Sequence, residues 1–219
     1  MVTLQLKQIR VPPGQRIILE DVSWQVFEAI LKELGEHRGS RVAYSQGTLE
    51  IMAPLPEHER SKVIIGDLVK ALLDELDLNW ESLGSTTFKR KDISAGIEPD
   101  DCFYIQNYKL MIGKDRIDLT VDPPPDLAIE IDVTSKTQIS AYEALRVPEI
   151  WRYESKKLEI SLLQGEQYVK SLISPTFPSF SITDLIPRFV EMARTTGMSS
   201  ALRAFRQSVR EQIQDKQGQ

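Results

Sequence analysis

The chain has 219 residues, of which 41% are hydrophobic and 27% charged, with a formal net charge of -5. That length suits one domain, and the composition excludes collagen-like, low-complexity and disordered classes. A single cysteine, Cys102, and two histidines, His37 and His58, exclude an intrachain disulfide and speak against a Cys/His-rich zinc site. No apolar run approaches the about 20 residues of a membrane helix, so no membrane partner is expected. The first residues lack the apolar core of a secretory signal, which makes a cytoplasmic setting the expectation. An acidic chain is not suited to coating nucleic acid non-specifically, but an enzyme that gathers carboxylates around a metal needs only a local basic rim.

In chain order, residues 1–20 read as extended, with a turn at Pro12-Pro13-Gly14. A first helix is predicted from Ser23, an N-cap residue, with Trp24, Phe27, Ile30, Leu31 and Leu34 at helical spacing and Gly35 ending it. Residues 41–45 and 48–52 read as a hairpin turning at Gln46-Gly47. A long helix is predicted over 57–77, with a broad aliphatic stripe and with Glu57, His58 and Glu59 in its first turn. Strands follow near 80–83, 86–91 and 98–105, then a loop or variable hairpin over 106–118. In the segment 127–133, Leu127, Ile129, Ile131 and Val133 alternate with Ala128, Glu130 and Asp132, the period of a strand. A short helix over about 137–146, strands at 149–154, 157–163 and 167–173, and a helix over 183–212 complete the chain, with Pro187 restricting where the last helix starts. Helices and strands intermingle, so the predicted class is α/β (α+β) with a mixed sheet.

Two acidic motifs stand out: Glu98-Pro99-Asp100-Asp101, and Asp126 to Asp132 with Glu130 at its centre. Spacing two would put Glu98 with Asp100, and Glu130 with Asp132, on shared strand faces. Acidic residues at strand ends are commonly solvated or paired in salt bridges. Beside aliphatic strands, however, a carboxylate is costly to desolvate without a positive partner, and Mg²⁺ is held through one or two carboxylates plus water and phosphate. Pattern alone leaves both readings open.

The same residues carry a family resemblance. Gln46-Gly47-Thr48-Leu49-Glu50-Ile51-Met52 with Pro54, Glu57-His58-Glu59 opening a long helix, and Gly96-Ile97-Glu98-Pro99-Asp100 with Phe103-Tyr104-Ile105 occur in order. Pro125-Asp126-Leu127-Ala128-Ile129-Glu130-Ile131 and Val147-Pro148-Glu149-Ile150-Trp151-Arg152 follow. Over roughly 20–190 the chain resembles a large bacterial family of restriction-endonuclease-like proteins, long known as a domain of unknown function, within the PD-(D/E)XK nuclease superfamily. The resemblance implies one nuclease-like domain over 1–219, with a restriction-endonuclease-like core in which helices flank a mixed sheet and a C-terminal helical extension over about 183–212. It implies hydrolysis of DNA phosphodiesters assisted by Mg²⁺ or Mn²⁺. Asp100 would match the metal-binding aspartate and Glu130 the acid of the (D/E)XK element, with Asp132 and the helix-borne Glu59 as further metal ligands.

The lysine of that element departs from the pattern. Asp132 stands two residues after Glu130, and Gln138 stands four before Tyr142, where some relatives carry the lysine on the next helix. The nearest lysine is Lys136, six residues after Glu130, which makes it the expected catalytic cation. A binding-only relative that kept the scaffold and lost the chemistry is the alternative.

Lys89-Arg90-Lys91 reads as a solvated strand end, or as a phosphate-contact patch if the nuclease reading holds. Cys102 reads as an inert core thiol, His58 as a polar helix-start residue or a metal ligand, and Trp24, Trp80 and Trp151 as packing anchors. Arg203, Arg206 and Arg210 read as solvated, with Leu202 and Phe205 packing on the body or a second subunit. A homodimer is expected, since duplex cleavage in this superfamily often uses paired subunits and symmetric pairs are the commonest oligomers.

Overall fold

The computed structural model describes residues 5–35, 39–132 and 138–217. A 3-10 turn at Leu6–Gln8 interrupts the stretch expected to be extended, and β1 (Arg16–Leu19) and α1 (Trp24–Leu34) follow. The Ser23 side chain accepts a hydrogen bond from the Val26 N–H at 3.3 Å, filling one of the orphan donors of a helix start. β2 (Arg41–Ser45) and β3 (Thr48–Met52) form the expected hairpin, and β1 pairs with the other edge of β3. In α2 (Pro56–Glu75), Pro56 occupies the first turn, where its missing N–H costs nothing.

The strand expected over 98–105 is shorter, Asp101–Tyr104, because residues 98–100 carry the chain from one sheet to the other. β5 (Phe88–Arg90) and β6 (Ala95–Ile97) join the hairpin in an antiparallel sheet ordered β1-β3-β2-β6-β5. β7 (Asp101–Tyr104) belongs to a second sheet with β4 (Glu81–Ser82), β8 (Leu127–Ile131), β9 (Glu149–Glu154), β10 (Lys157–Gln164) and β11 (Gln167–Ser171), ordered β11-β10-β9-β8-β7-β4. The chain crosses between sheets through Glu98-Pro99-Asp100. Proline has no N–H for a ladder, so Glu98 and Asp100 do not share a strand face as their spacing suggested. In the second sheet β8 and β9 run parallel and the other neighbours antiparallel. That parallel step requires a crossover, and α4 (Ile139–Leu145) lies on it. Within the segment expected to be a loop or hairpin lies a single helical turn, α3 (Tyr108–Met111), with Met111 buried.

The helix predicted over 183–212 is two helices, α5 (Ile182–Thr196) and α6 (Met198–Gln217). Gly197 between them has φ 90 and ψ 150, a conformation essentially confined to glycine. Pro187 lies inside α5 rather than limiting its start. An interior proline costs about 3 kcal/mol. Burial of Leu185, Ile186, Phe189 and Val190 on the same helix outweighs that, at about 1.5–3 kcal/mol per large side chain.

Both faces of the second sheet are covered. Leu127, Ile129 and Ile131 pack with α2, α5 and α6, while Ala128 and Ile150 face α4 and the β5–β6 edge of the first sheet. A third cluster joins α1 to the first sheet, with Phe27 stacked on Tyr44 at 4.5 Å between centroids. Trp24 and Trp151 are buried packing anchors, and Phe205 of α6 packs into the main core as expected. Arg206 and Arg210 pair with Asp74 and Glu75 of α2, and Arg210 stays exposed as expected. No helix among the described residues is long and apolar enough to cross a membrane.

α2 approaches β7 closely at Gly66, where a Cβ would lie 2.5 Å from Asp101 Oδ2. The other carboxylate oxygen is held by the Ser82 hydroxyl at 3.0 Å and the Cys102 N–H at 2.9 Å, so the side chain cannot swing away freely. Alanine gains about 1 kcal/mol over glycine in a helix, but overpacking costs about 1–3 kcal/mol. Gly66→Ala is therefore expected to lower the urea midpoint; an unchanged or raised midpoint would show that the helix can shift to admit the methyl.

Candidate active site

The crossing between the sheets fixes Asp100. Its N–H donates to the Ile129 carbonyl at 3.1 Å, and its Oδ2 accepts from the Ile131 N–H at 2.8 Å, so it is tied to β8 through both backbone and side chain. Only 2% of it is exposed. From the first turn of α2, His58 brings Nε2 to 3.0 Å from Asp100 Oδ2, and its Nδ1 lies 3.5 Å from Glu59 Oε1. Arg41 at the start of β2 lies 3.5 Å from both Asp100 Oδ1 and Glu59 Oε1. Neither ring nitrogen of His58 has the alignment of a hydrogen bond, although both are buried.

Glu130 alternates with Ile129 and Ile131 and points away from the main core, where the Tyr142 hydroxyl of α4 donates to its Oε1. The residue is partly buried along a cleft that it lines with Arg41, Glu50, Asp132, Gln138 and Tyr142. Its carboxyl is enclosed by protein and neighbours that of Asp100 closely enough for the two to interact. Burial, first, and then repulsion from Asp100 raise it well above the ordinary carboxylate range, while the Tyr142 hydroxyl acts in the opposite sense. Asp132, just past β8, keeps its N–H on the Tyr153 carbonyl at 3.0 Å and is buried at the cleft wall. Glu98 is occupied structurally, accepting from the Val42 N–H at 3.1 Å and the Thr87 hydroxyl at 2.5 Å.

The structure thus brings Asp100 and Glu130 together, with Asp132 on the same cleft and Glu59 linked to Asp100 through Arg41 and His58. Lys136 lies outside the described residues. Lys89 and Arg90 pair with Glu28 and Asp92, and β5 runs from Phe88 opposite Ile97 to Arg90 opposite Ala95, away from the Glu98 end of the cleft. Cys102 is buried and free, its thiol pushed up to about 12 by burial, which matches an inert core residue.

Arg41 and Glu50 were not singled out from the sequence. Glu50 lies between Leu49 and Ile51, and the pattern of a one-sided strand places it in solvent. In the fold it is only 7% exposed, and Arg16 Nη1 lies 3.0 Å from its Oε2. Burial raises its carboxyl, against the opposing effect of Arg16.

Among the described residues, no group of three or more His, Cys, Asp or Glu side chains is arranged to hold a metal ion. The donor set nevertheless fits a divalent cation in kind. The Asp100 and Glu130 carboxyls are neighbours, and beside them stands the His58 imidazole, which among the described residues has no aligned hydrogen-bond partner. An ion that keeps several of its waters needs no closed cage.

A family model described as "Putative restriction endonuclease", Uma2, matches residues 24–195. The chain belongs to this family. Solved structures similar to it include one titled as a putative nuclease belonging to DUF820, from Anabaena variabilis ATCC 29413. That protein is 16% identical, with 68% of this chain and 90% of that chain covered and a TM-score of 0.47. No curated protein matches. Uma2 membership agrees with the resemblance read from the motifs, and the mixed α/β architecture agrees with the fold class expected from them.

A carboxyl raised in the folded state keeps a proton that the unfolded chain releases near its ordinary value. The stability it contributes is therefore present below that value and lost as pH rises toward the folded one. In chelator-treated protein, Glu130→Gln is expected to raise the melting temperature at pH 7–8 and to flatten its decline between pH 5 and 8. Parallel wild-type and variant curves would remove Glu130 as the source of that decline.

Proposed function

We propose that this member of the Uma2 family is a divalent-metal-dependent endonuclease that hydrolyses phosphodiester bonds of DNA. The observation that supports it most is the contact between the Asp100 and Glu130 carboxyls, one from the crossing between sheets and one from the central strand β8. In this reading Asp100 and Glu130 hold the ion, with Asp132, Glu59 and His58 as additional donors beside them. Mg²⁺ or Mn²⁺, when bound, neutralises the scissile phosphate and lowers the pKa of an attacking water.

The chain's own residues prepare that site. The Tyr142 hydroxyl fixes one Glu130 oxygen, and the Ile131 N–H fixes one Asp100 oxygen, so little is left to reorganise when substrate arrives. Arg41 lies on the cleft wall as a cation that can meet a phosphate oxygen. Lys136 is proposed as the cation that stabilises the developing charge, and Lys89, Arg90 and Lys91 as contacts to more distant phosphates, with Lys89 and Arg90 exchanging their carboxylate partners for DNA. Action as a homodimer and a cytoplasmic location belong to the same proposal, as does the reading of residues 1–219 as one nuclease-like domain.

One observation favours the alternative of a binding-only relative: no lysine among the described residues lines the cleft. Nicking of supercoiled plasmid separates the two. Wild-type protein is expected to nick with Mn²⁺ or Mg²⁺ and not with EDTA, and Asp100→Asn and Glu130→Gln are each expected to lose several orders of magnitude in rate. Wild-type protein that binds DNA without any metal-dependent cleavage would decide for the binding module, and equal cleavage by all three proteins would place the activity elsewhere.

A further inference from the structure

The cleft is lined, along with Tyr142, by the amide side chain of Gln138. Gln138 immediately precedes α4, yet its side chain does not cap that helix. Its side chain is instead a hydrogen-bonding neighbour of Glu50 that favours the charged carboxylate, and Arg16 Nη1 meets the same carboxylate at 3.0 Å. A carboxylate only accepts hydrogen bonds, so the NH₂ end must face Glu50 and the oxygen end must face away. That oxygen, Oε1, is buried and, among the described residues, has no hydrogen-bond partner. A buried carbonyl oxygen left unsatisfied costs about 1–3 kcal/mol. Gln138 shares the cleft wall with Glu130 and Asp132, so a water molecule entering beside those carboxylates meets an acceptor with no competing partner.

We infer that Gln138 orients the hydrolytic water through its Oε1, and that Glu50, anchored by Arg16, is the positioning residue that keeps the amide turned that way. This rests on the nuclease reading and assigns a residue to its attack step. The amide accepts a hydrogen bond and takes no proton. It aims the oxygen of the water, and it needs no titration of its own to do so. The burial of Glu50 also gains a purpose: a charged side chain between Leu49 and Ile51 is expensive to enclose, and here one oxygen is met by Arg16 while the carboxylate fixes the amide.

The test is steady-state cleavage of a duplex oligonucleotide with Mn²⁺ by wild type, Gln138→Leu, Glu50→Leu, the double variant E50L/Q138L, Lys136→Ala and Asp100→Asn. Thermal melts and Mn²⁺ titration calorimetry are run on each. Gln138→Leu is expected to lower kcat by roughly 10²-fold, with KM, melting temperature and Mn²⁺ affinity near wild type. Glu50→Leu should lower kcat by less, and E50L/Q138L should be no slower than Gln138→Leu alone, since Glu50 acts only through the amide. An ordinary structural water on Oε1 would give the opposite split, a lower melting temperature with kcat intact, and would overturn the inference. So would additive losses in E50L/Q138L. If Gln138→Leu cleaves like wild type while Asp100→Asn is inactive, this inference fails and the nuclease reading stands. If wild type does not cleave at all, both fall.

Discussion

Two neighbouring carboxyl groups, one buried and one lining a polar cleft, set the terms for the rest of this molecule. Asp100 and Glu130 come from segments 30 residues apart in the chain, and neither can be enclosed at low cost. The fold meets that cost with directed hydrogen bonds. The Ile131 N–H takes one Asp100 oxygen, the Tyr142 hydroxyl takes one Glu130 oxygen, and Arg41 and His58 close over Asp100. What remains is a Glu130 carboxyl that burial, first, and the neighbouring Asp100 raise well above the ordinary carboxylate range.

The architecture follows from where the chain changes sheet. Pro99 ends pairing in the antiparallel sheet, and the next residue enters the second sheet already bonded to β8. The acidic motif around it is therefore a junction, and the junction is what aims Asp100 at the central strand. α2 reaches Asp100 through His58. Its first turn carries His58 and Glu59 to the site, while its later turns pack with α5 and α6 in the main core. The site end of the helix is thereby fixed by aliphatic burial several turns away.

The N-terminal hairpin and the start of α4 line the cleft. Glu50, Arg16 and Gln138 form a chain of polar contacts that no single segment could make alone. The basic run at 89–91 lies farther up the same sheet, its first two charges met by neighbouring acids. Positive charge close to the carboxylates comes instead from Arg41, which begins a strand and carries no mark of function in its local sequence.

The sequence by itself determined the elements whose signals are local. Ser23 and Gly35 bound the first helix, Gln46-Gly47 turns the hairpin, and the alternation over 127–131 makes a strand, because caps, turns and short periods act within a few residues. The two central acids, Asp100 and Glu130, were legible as well, through motifs whose order matched a family. Only the tertiary structure decided that the strand expected over 98–105 starts at Asp101, after a crossing between two sheets, and that 183–212 breaks at Gly197. It alone decided that Glu50 is enclosed and that Gln138 is turned from its helix toward Glu50. Those outcomes depend on what covers each face of a strand and on partners tens of residues away, and burial of that kind leaves no trace in the residues next to it.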